Sequence, residues 1–235
     1  MEIKIVKQIL EWNEDVSGDI IKELDRDKVC LINLMGSPGA GKTTLIKQII
    51  ESLRDKYSIG IIEGDVAGQI DAETIKDMGI PVVQLQTDGA CHIEALSIQK
   101  ILPMFETSKL DVLIVENIGN LVCPAEFNIG EDYRITLLSV PEGDDKVVKY
   151  PLMFRATDAL VINKCDVLPY FDFDCGRVEG NENDINPDAP VFRVSGRTGD
   201  GIKELTEWLD EKIARKLSEG HVDRKPIFSE KGEGE

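Results

Sequence analysis

The sequence predicts a three-layer α/β fold on a mostly parallel sheet, and three observations carry that expectation. Short runs rich in Val, Ile and Leu alternate with stretches of helical period along the 235 residues. Several runs are apolar at consecutive positions, as central strands covered by helices on both faces must be. A glycine-rich loop joins the first run directly to a helical stretch, in strand–loop–helix order. Taken in order, the expected strands span residues 29–35, 59–63, 82–86, 112–116, 135–140, 159–163 and 191–194.

The flanking segments follow from composition. Residues 1–16, MEIKIVKQILEWNEDV, read as a short amphipathic helix without the basic flank, apolar stretch and cleavage site of a signal peptide. The acidic, Gly/Asn-rich segment 172–190 and the stretch after about residue 217, which ends GEGE, are the weakest in pattern. One domain over residues 1–217 with a flexible tail over 218–235 is therefore expected. The formal net charge of −17 repels phosphate backbones and anionic lipid, which argues against nucleic acid and membrane surfaces as partners. No apolar run approaches the ~20 residues of a membrane span, so a cytoplasmic protein is expected. Five cysteines, odd in number and irregular in spacing, form no disulfide framework and fit a reducing compartment.

Gly36-Ser37-Pro38-Gly39-Ala40-Gly41-Lys42-Thr43-Thr44 matches G-x-x-x-x-G-K-[ST] in full, which makes the expected architecture a P-loop NTPase fold. The glycines let successive N–H groups point inward, and the following helix start adds partial positive charge. Lys42 is expected on the β- and γ-phosphates and the Thr43 hydroxyl on Mg²⁺. Asn163-Lys164-Cys165-Asp166 then selects the base. An ionised Asp166 accepts from N1–H and the 2-amino group of guanine, whereas adenine offers a lone pair at N1 and no 2-amino group. Asn163 is expected to brace this loop and Lys164 to lay its stem along the base. Ser195-Gly196-Arg197-Thr198-Gly199 supplies loop amides for the guanine O6. An Asn-Lys-x-Asp tetrapeptide alone is often a mere turn. Two guanine loops in the right order after a phosphate loop, each closing a strand, make GTP and GDP the expected ligands.

Between these sites lie the switch candidates. Gly64-Asp65 closes the second expected strand, and Glu116-Asn117-Ile118-Gly119-Asn120 the fourth. Asp65 or Glu116 suits Mg²⁺ or its waters, and the Gly119 amide suits a γ-phosphate. The alternative for a lone strand-end acid is a helix cap or a solvated charge, and Asp71, before Ala72-Glu73-Thr74, reads at least as much like a cap as like a catalyst. Lys42, Thr43, Asp65 and Glu116 are the catalytic candidates. After Gly119, Ras-like enzymes place a water-orienting glutamine, whereas this chain has Asn120, so slow turnover is expected.

A soft-metal site adjoins the switch. Thr87-Asp88-Gly89-Ala90-Cys91-His92 leads into a helical stretch, and Cys123 falls four residues after Gly119. An adjacent Cys-His pair is more often structural than ligating, but a thiol in a mobile switch loop is a poor place for an unused oxidisable group. Two thiols and an imidazole suit Zn²⁺ or Ni²⁺. Cys30 reads as core, Cys165 as the variable position of the guanine loop, and Cys175 as part of a solvated loop.

With GSPGAGKTT, EGDVAGQIDAE, TDGACH, ENIGNLVCPAEF, EGDDKVVKYP and VINKCD in place, nearly the whole chain resembles the hydrogenase nickel-incorporation GTPases, the HypB family. Their P-loop class also contains the urease chaperone UreG and the signal-recognition GTPases. The resemblance implies a metal site at Cys91, His92 and Cys123, a GTP-dependent homodimer, and a metallochaperone role in [NiFe] hydrogenase maturation. Its implied partners are the hydrogenase large-subunit precursor and accessory maturation proteins. The chain departs from many members in having no histidine-rich stretch and no amino-terminal Cys-x-x-Cys, which puts nickel storage and a second site in doubt. Lys146 and Lys149 are candidate contributors to the dimer interface, with a solvated loop as the alternative. Rival readings are the same machine serving urease or another nickel or cobalt enzyme, a passive metal-binding protein, and a P-loop kinase.

Overall fold

The structure is a computed structural model that describes residues 2–64, 75–86 and 89–221, without the side chains of residues 2–9. Asp65, Asp71, Thr87, Asp88 and residues 222–235 of the expectations above lie outside the described residues.

All seven expected strands form: β1 (Cys30–Gly36), β2 (Ile59–Glu63), β3 (Val82–Gln84), β4 (Val112–Glu116), β5 (Tyr133–Ser139), β6 (Ala159–Asn163) and β7 (Val191–Arg193). They join in the order β3-β2-β4-β1-β5-β6-β7, and every pairing is parallel. Alternation along β1 shows why both faces must be covered. Cys30, Ile32 and Leu34 enter one apolar cluster with Ile46 and Ile49 of α2 (Lys42–Leu53) and Leu205 and Leu209 of the last helix (Ile202–Glu219). Leu31 enters the opposite cluster with Val16, Ile20 and Leu24 of α1 (Glu2–Asp27) and Ile98 and Ile101 of α3 (Ala95–Ile101). A third cluster joins Leu138, Leu160 and Ile162 to Met153, Phe154 and Val178.

Two local expectations change. The first helix runs on to Asp27, because Val16, Ile20 and Leu24 recur at helical spacing beyond residue 16 and bury against the sheet. The weak segment 172–190 contains a helix, Cys175–Ile185, whose first turn is capped by Asp174 accepting from Arg177 N at 3.1 Å. Cys175 is thus buried on a helix rather than solvated in a loop. Glu182 hid the pattern. It occupies the buried face of that helix at 1% exposure with no hydrogen-bond partner for either oxygen, and burial pushes its carboxyl up to about 8.

Among the described residues, no helix is long and apolar enough to cross a membrane.

Candidate functional site

The carboxyl ends of β1, β4, β6 and β7 converge where ligands bind in open parallel sheets. An open groove of about 700 Å³ beside Arg54, Tyr57, Pro81 and Phe105 lies at the opposite, amino-terminal end of β2 and β3, away from every motif above.

β1 delivers the chain into the loop 36–41, and α2 begins at Lys42. Gly41 takes φ 95°, and a Cβ there would stand 2.5 Å from Asn163 Nδ2, so this position needs glycine on both counts. Lys42 is 3% exposed and donates to Ser37 O at 3.3 Å. The Thr43 hydroxyl donates to Glu116 Oε1 at 2.9 Å, across from the end of β4. Glu63, at the end of β2, sits in register beside Glu116, and both carboxylates are 1% exposed. Two hard carboxylates and a hydroxyl at the mouth of a phosphate loop are donors of the type Mg²⁺ takes, so the residues present fit that ion. Sequence reasoning missed Glu63; its only signal was an acid ending an otherwise apolar strand.

The base-side loops are tied to the phosphate loop. Asn163 donates to Ala40 O at 2.9 Å and accepts from the amides of Lys164 (2.8 Å) and Gly196 (3.0 Å), joining three loops. Lys164 adopts φ 62° and donates to Gly39 O at 2.6 Å. Asp166 Oδ1 accepts from the Ser195 hydroxyl at 2.7 Å, and Ser195 Oγ in turn accepts from Thr198 N at 3.1 Å. Arg197 is exposed beside them. Cys165 follows Lys164, and burial pushes its thiol up to about 11.

The switch side is built around Asn117 and Asn120. Gly119 presses on the phosphate loop so closely that a Cβ would meet the Pro38 backbone at 2.8 Å. Asn120 N donates to Gly36 O at 3.0 Å, its side-chain amide donates to Cys91 O at 3.1 Å, and its side-chain carbonyl accepts from Val122 N at 2.9 Å. Asn120 therefore holds its amide in the chain's own loops, where the sequence comparison set it in the place of a water-orienting glutamine. Beneath it, Asn117 donates to Asn33 Oδ1 at 3.1 Å and accepts from Ile118 N at 2.9 Å and Ile93 N at 3.4 Å. A lone Asn inside the apolar run of β1 was the one sequence sign of this ladder.

The adjacent Cys91 and His92 meet Cys123, which lies 31 to 32 residues further along the sequence: their ligand atoms all lie within 4.8 Å of one another. The Cys91 thiol donates to Cys123 Sγ at 3.1 Å, and His92 Nδ1 is 3.4 Å from Cys91 Sγ. That bond, with burial, raises the Cys91 thiol, whereas burial lowers His92 against the carboxylates of Glu94 and Glu126. The His92 ring stacks on Phe127 at 3.9 Å between centroids. Cys123 opens a short helix, α4 (Cys123–Glu126), and Arg134 of β5 anchors the following carbonyls of Ala125 and Phe127 at 3.4 Å each while paired to buried Glu131. Two soft thiols and an imidazole suit Ni²⁺ or Zn²⁺.

Lys146 and Lys149 lie on a single-turn helix, Lys146–Lys149, where both face Asp145, Lys146 at 3.5 Å. The two lysines share that one carboxylate.

Residues 30–193 match the CobW/HypB/UreG nucleotide-binding domain family. The chain is 38% identical over 220 residues to the hydrogenase maturation factor HypB of Rhizobium leguminosarum bv. viciae, covering 94% of this chain and 74% of that protein. It is 35% identical to the hydrogenase/urease maturation factor HypB of Helicobacter pylori, covering 94% and 92%. Its structure is similar to the crystal structure of HypB from Helicobacter pylori in complex with nickel, at TM-score 0.82 and 34% identity over 90% of this chain and 99% of that one. With the phosphate loop, both base-side loops and the Cys-His-Cys cluster on one parallel sheet, the chain belongs to the CobW/HypB/UreG family of P-loop nucleotide-binding proteins.

Proposed function

We propose that this chain is a GTP-hydrolysing metallochaperone that carries nickel and serves [NiFe] hydrogenase maturation. The observation that carries the reading is the set of bonds of Asn120, which join Gly36 of the phosphate loop to the carbonyl of Cys91 and to the residue before Cys123. A nucleotide loop and a soft-metal cluster sharing one residue are arranged to sense each other, which a passive metal-binding protein does not need.

The proposed roles rest on the motifs and on the residues gathered around them. Gly36 to Thr44 cradle the phosphates, Lys42 turns from Ser37 O to the β- and γ-phosphates, and Gly119 offers its amide to the γ-phosphate. Asp166 reads the guanine edge, Asn163 holds the loops around it, and Ser195, Gly196 and Arg197 close the base side. Thr43 and Glu116, with Glu63 beside them and Asp65 as the further candidate from the sequence, would hold Mg²⁺, which supplies charge neutralisation at the phosphates when bound. Cys91, His92 and Cys123 hold the cargo, with zinc as the competing ion. Because the amide of Asn120 is engaged by Cys91 and Val122, no side chain at this position orients water. Intrinsic turnover is therefore about 10⁻⁴ to 10⁻² per second. Mg²⁺·GTP draws two such acidic subunits into a homodimer, since contacts around bound nucleotide must outweigh charge repulsion. Light scattering with GDP and with a non-hydrolysable GTP analogue tests the dimer.

The deciding experiment is a nickel titration of the metal-free protein in both nucleotide states. Affinity that changes by about 5- to 150-fold supports GTP-driven metal handling, and identical affinity and thiolate-to-nickel absorption in the two states refute it. A second reading, service to urease as well, is favoured by the Helicobacter pylori relative, whose name covers both. Nickel delivery to purified hydrogenase and urease precursors separates the two.

A further inference from the structure

The halves of the metal cluster arrive on different segments, Cys91 and His92 before α3 and Cys123 on α4, and a residue of α1 fastens the two segments together. Asn13 is 5% exposed. Its side-chain carbonyl accepts from Ala95 N at 3.0 Å, and its amide donates to Asn128 O at 2.6 Å. Ala95 is the first residue of α3, whose own flanking residue, Glu94, makes no side-chain cap. Asn128 directly follows Phe127, on which His92 stacks. Glu14 strengthens the same fastening by accepting from the Asn128 side chain at 3.2 Å. Each ligand-bearing segment is thus held within a few residues of its ligands by one planar amide that uses its donor and its acceptor at once.

Resting on the nickel-site reading above, we propose that Asn13 is a positioning residue of the metal site, holding the Cys91-His92 segment and the Cys123 segment at one separation. It touches no ligand atom. Metal bonds depend steeply on ligand placement, and partners that orient ligands typically matter about 10- to 100-fold in affinity. Asn13 also lies outside residues 30–193, so the metal site of this domain is completed by a helix that precedes the matched nucleotide-binding region. Anything that shifts α1, whose Trp12 is 51% exposed beside Asn13, shifts the spacing of the ligands.

Asn13→Asp separates this role from helix capping. A carboxylate still accepts from Ala95 N, and aspartate is as good a cap as asparagine, but it loses the donor to Asn128 O. Asn13→Asp and Asn13→Ala are both expected to weaken nickel binding about tenfold and to alter the thiolate-to-nickel absorption, with GTP affinity of the metal-free protein unchanged. Wild-type nickel affinity and absorption in Asn13→Asp would reduce Asn13 to a cap and overturn the proposal. Equal loss of GTP and nickel affinity in both variants would make its role one of general folding and overturn it as well. The unaltered protein gives an independent check, because linkage requires bound nickel to tighten what positions it. Amide exchange at Ala95 is expected to slow on adding nickel, and an unchanged rate counts against the bridge. Nickel binding unaffected by Cys123→Ala would refute the site itself, a failure distinct from that of Asn13.

Discussion

The base side and the switch side of this sheet end are built on opposite plans. Around β6 and β7, one side chain, Asn163, binds the two base-side loops to each other and to the phosphate loop, and Asp166, Ser195 and Thr198 close a second chain of bonds within the base side. Around β4, the bonds run outward instead. Asn120 reaches Cys91, Asn117 reaches Asn33 and Ile93, and Arg134 and Asn13 hold the far ends of the cysteine segment. A self-braced loop keeps one shape and suits recognition of a constant base. A loop fastened by single bonds to several bodies rearranges when one of those bodies moves, which suits a switch.

Asp166→Asn probes the self-braced side and carries the largest expected effect. GTP affinity should fall by about 3 kcal/mol, with xanthosine triphosphate accepted in its place, while nickel binding stays intact. Calorimetric titration with both nucleotides measures this, and unchanged GTP binding would remove the guanine assignment. Cys123→Ala probes the other side, where nickel affinity should drop by about 2 kcal/mol and lose any dependence on nucleotide. A retained dependence would place the coupling elsewhere.

Glu182→Gln tests whether the base side stands as a separate body. The carboxyl is raised to about 8 in the fold from an ordinary value near 4.5, so the folded state keeps its proton where the unfolded chain has lost it. Stability therefore falls as pH rises from about 4.5 to about 8, and the penalty is complete above that window. The amide should raise stability by about 2 kcal/mol at pH 8.5, with the gain vanishing below pH 5 and nickel affinity unmoved. Thermal melts across that range check the sign. The smallest effect belongs to Asn120→Ala, which should leave nickel and GTP affinities separately near wild type but cut the coupling between them by about 1 kcal/mol. Nickel titrations of this variant with GDP and with a GTP analogue read that difference, and full coupling would show that the Asn120 bonds are incidental.

Sequence by itself determined the sheet and the loops whose chemistry is contiguous. Uninterrupted apolar runs leave a strand no choice but burial on both faces, and in Gly36 to Thr44 and Asn163 to Asp166 the interacting groups are near neighbours in the chain. The helix at Cys175–Ile185 escaped because a buried glutamate and two glycines break the apolar period by which helices are read. Tertiary structure alone decided which residues work at long range. Asn13, Asn117 and Asn120 act on backbone groups distant in the chain, as Asn13 does at Asn128, 115 residues away. A side-chain amide aimed at a distant backbone group leaves no trace in local composition, because its partner is an atom every residue shares. The cluster at Cys91, His92 and Cys123 lies between these cases: its residue types were readable, but only the folded chain sets two sulfurs 3.1 Å apart.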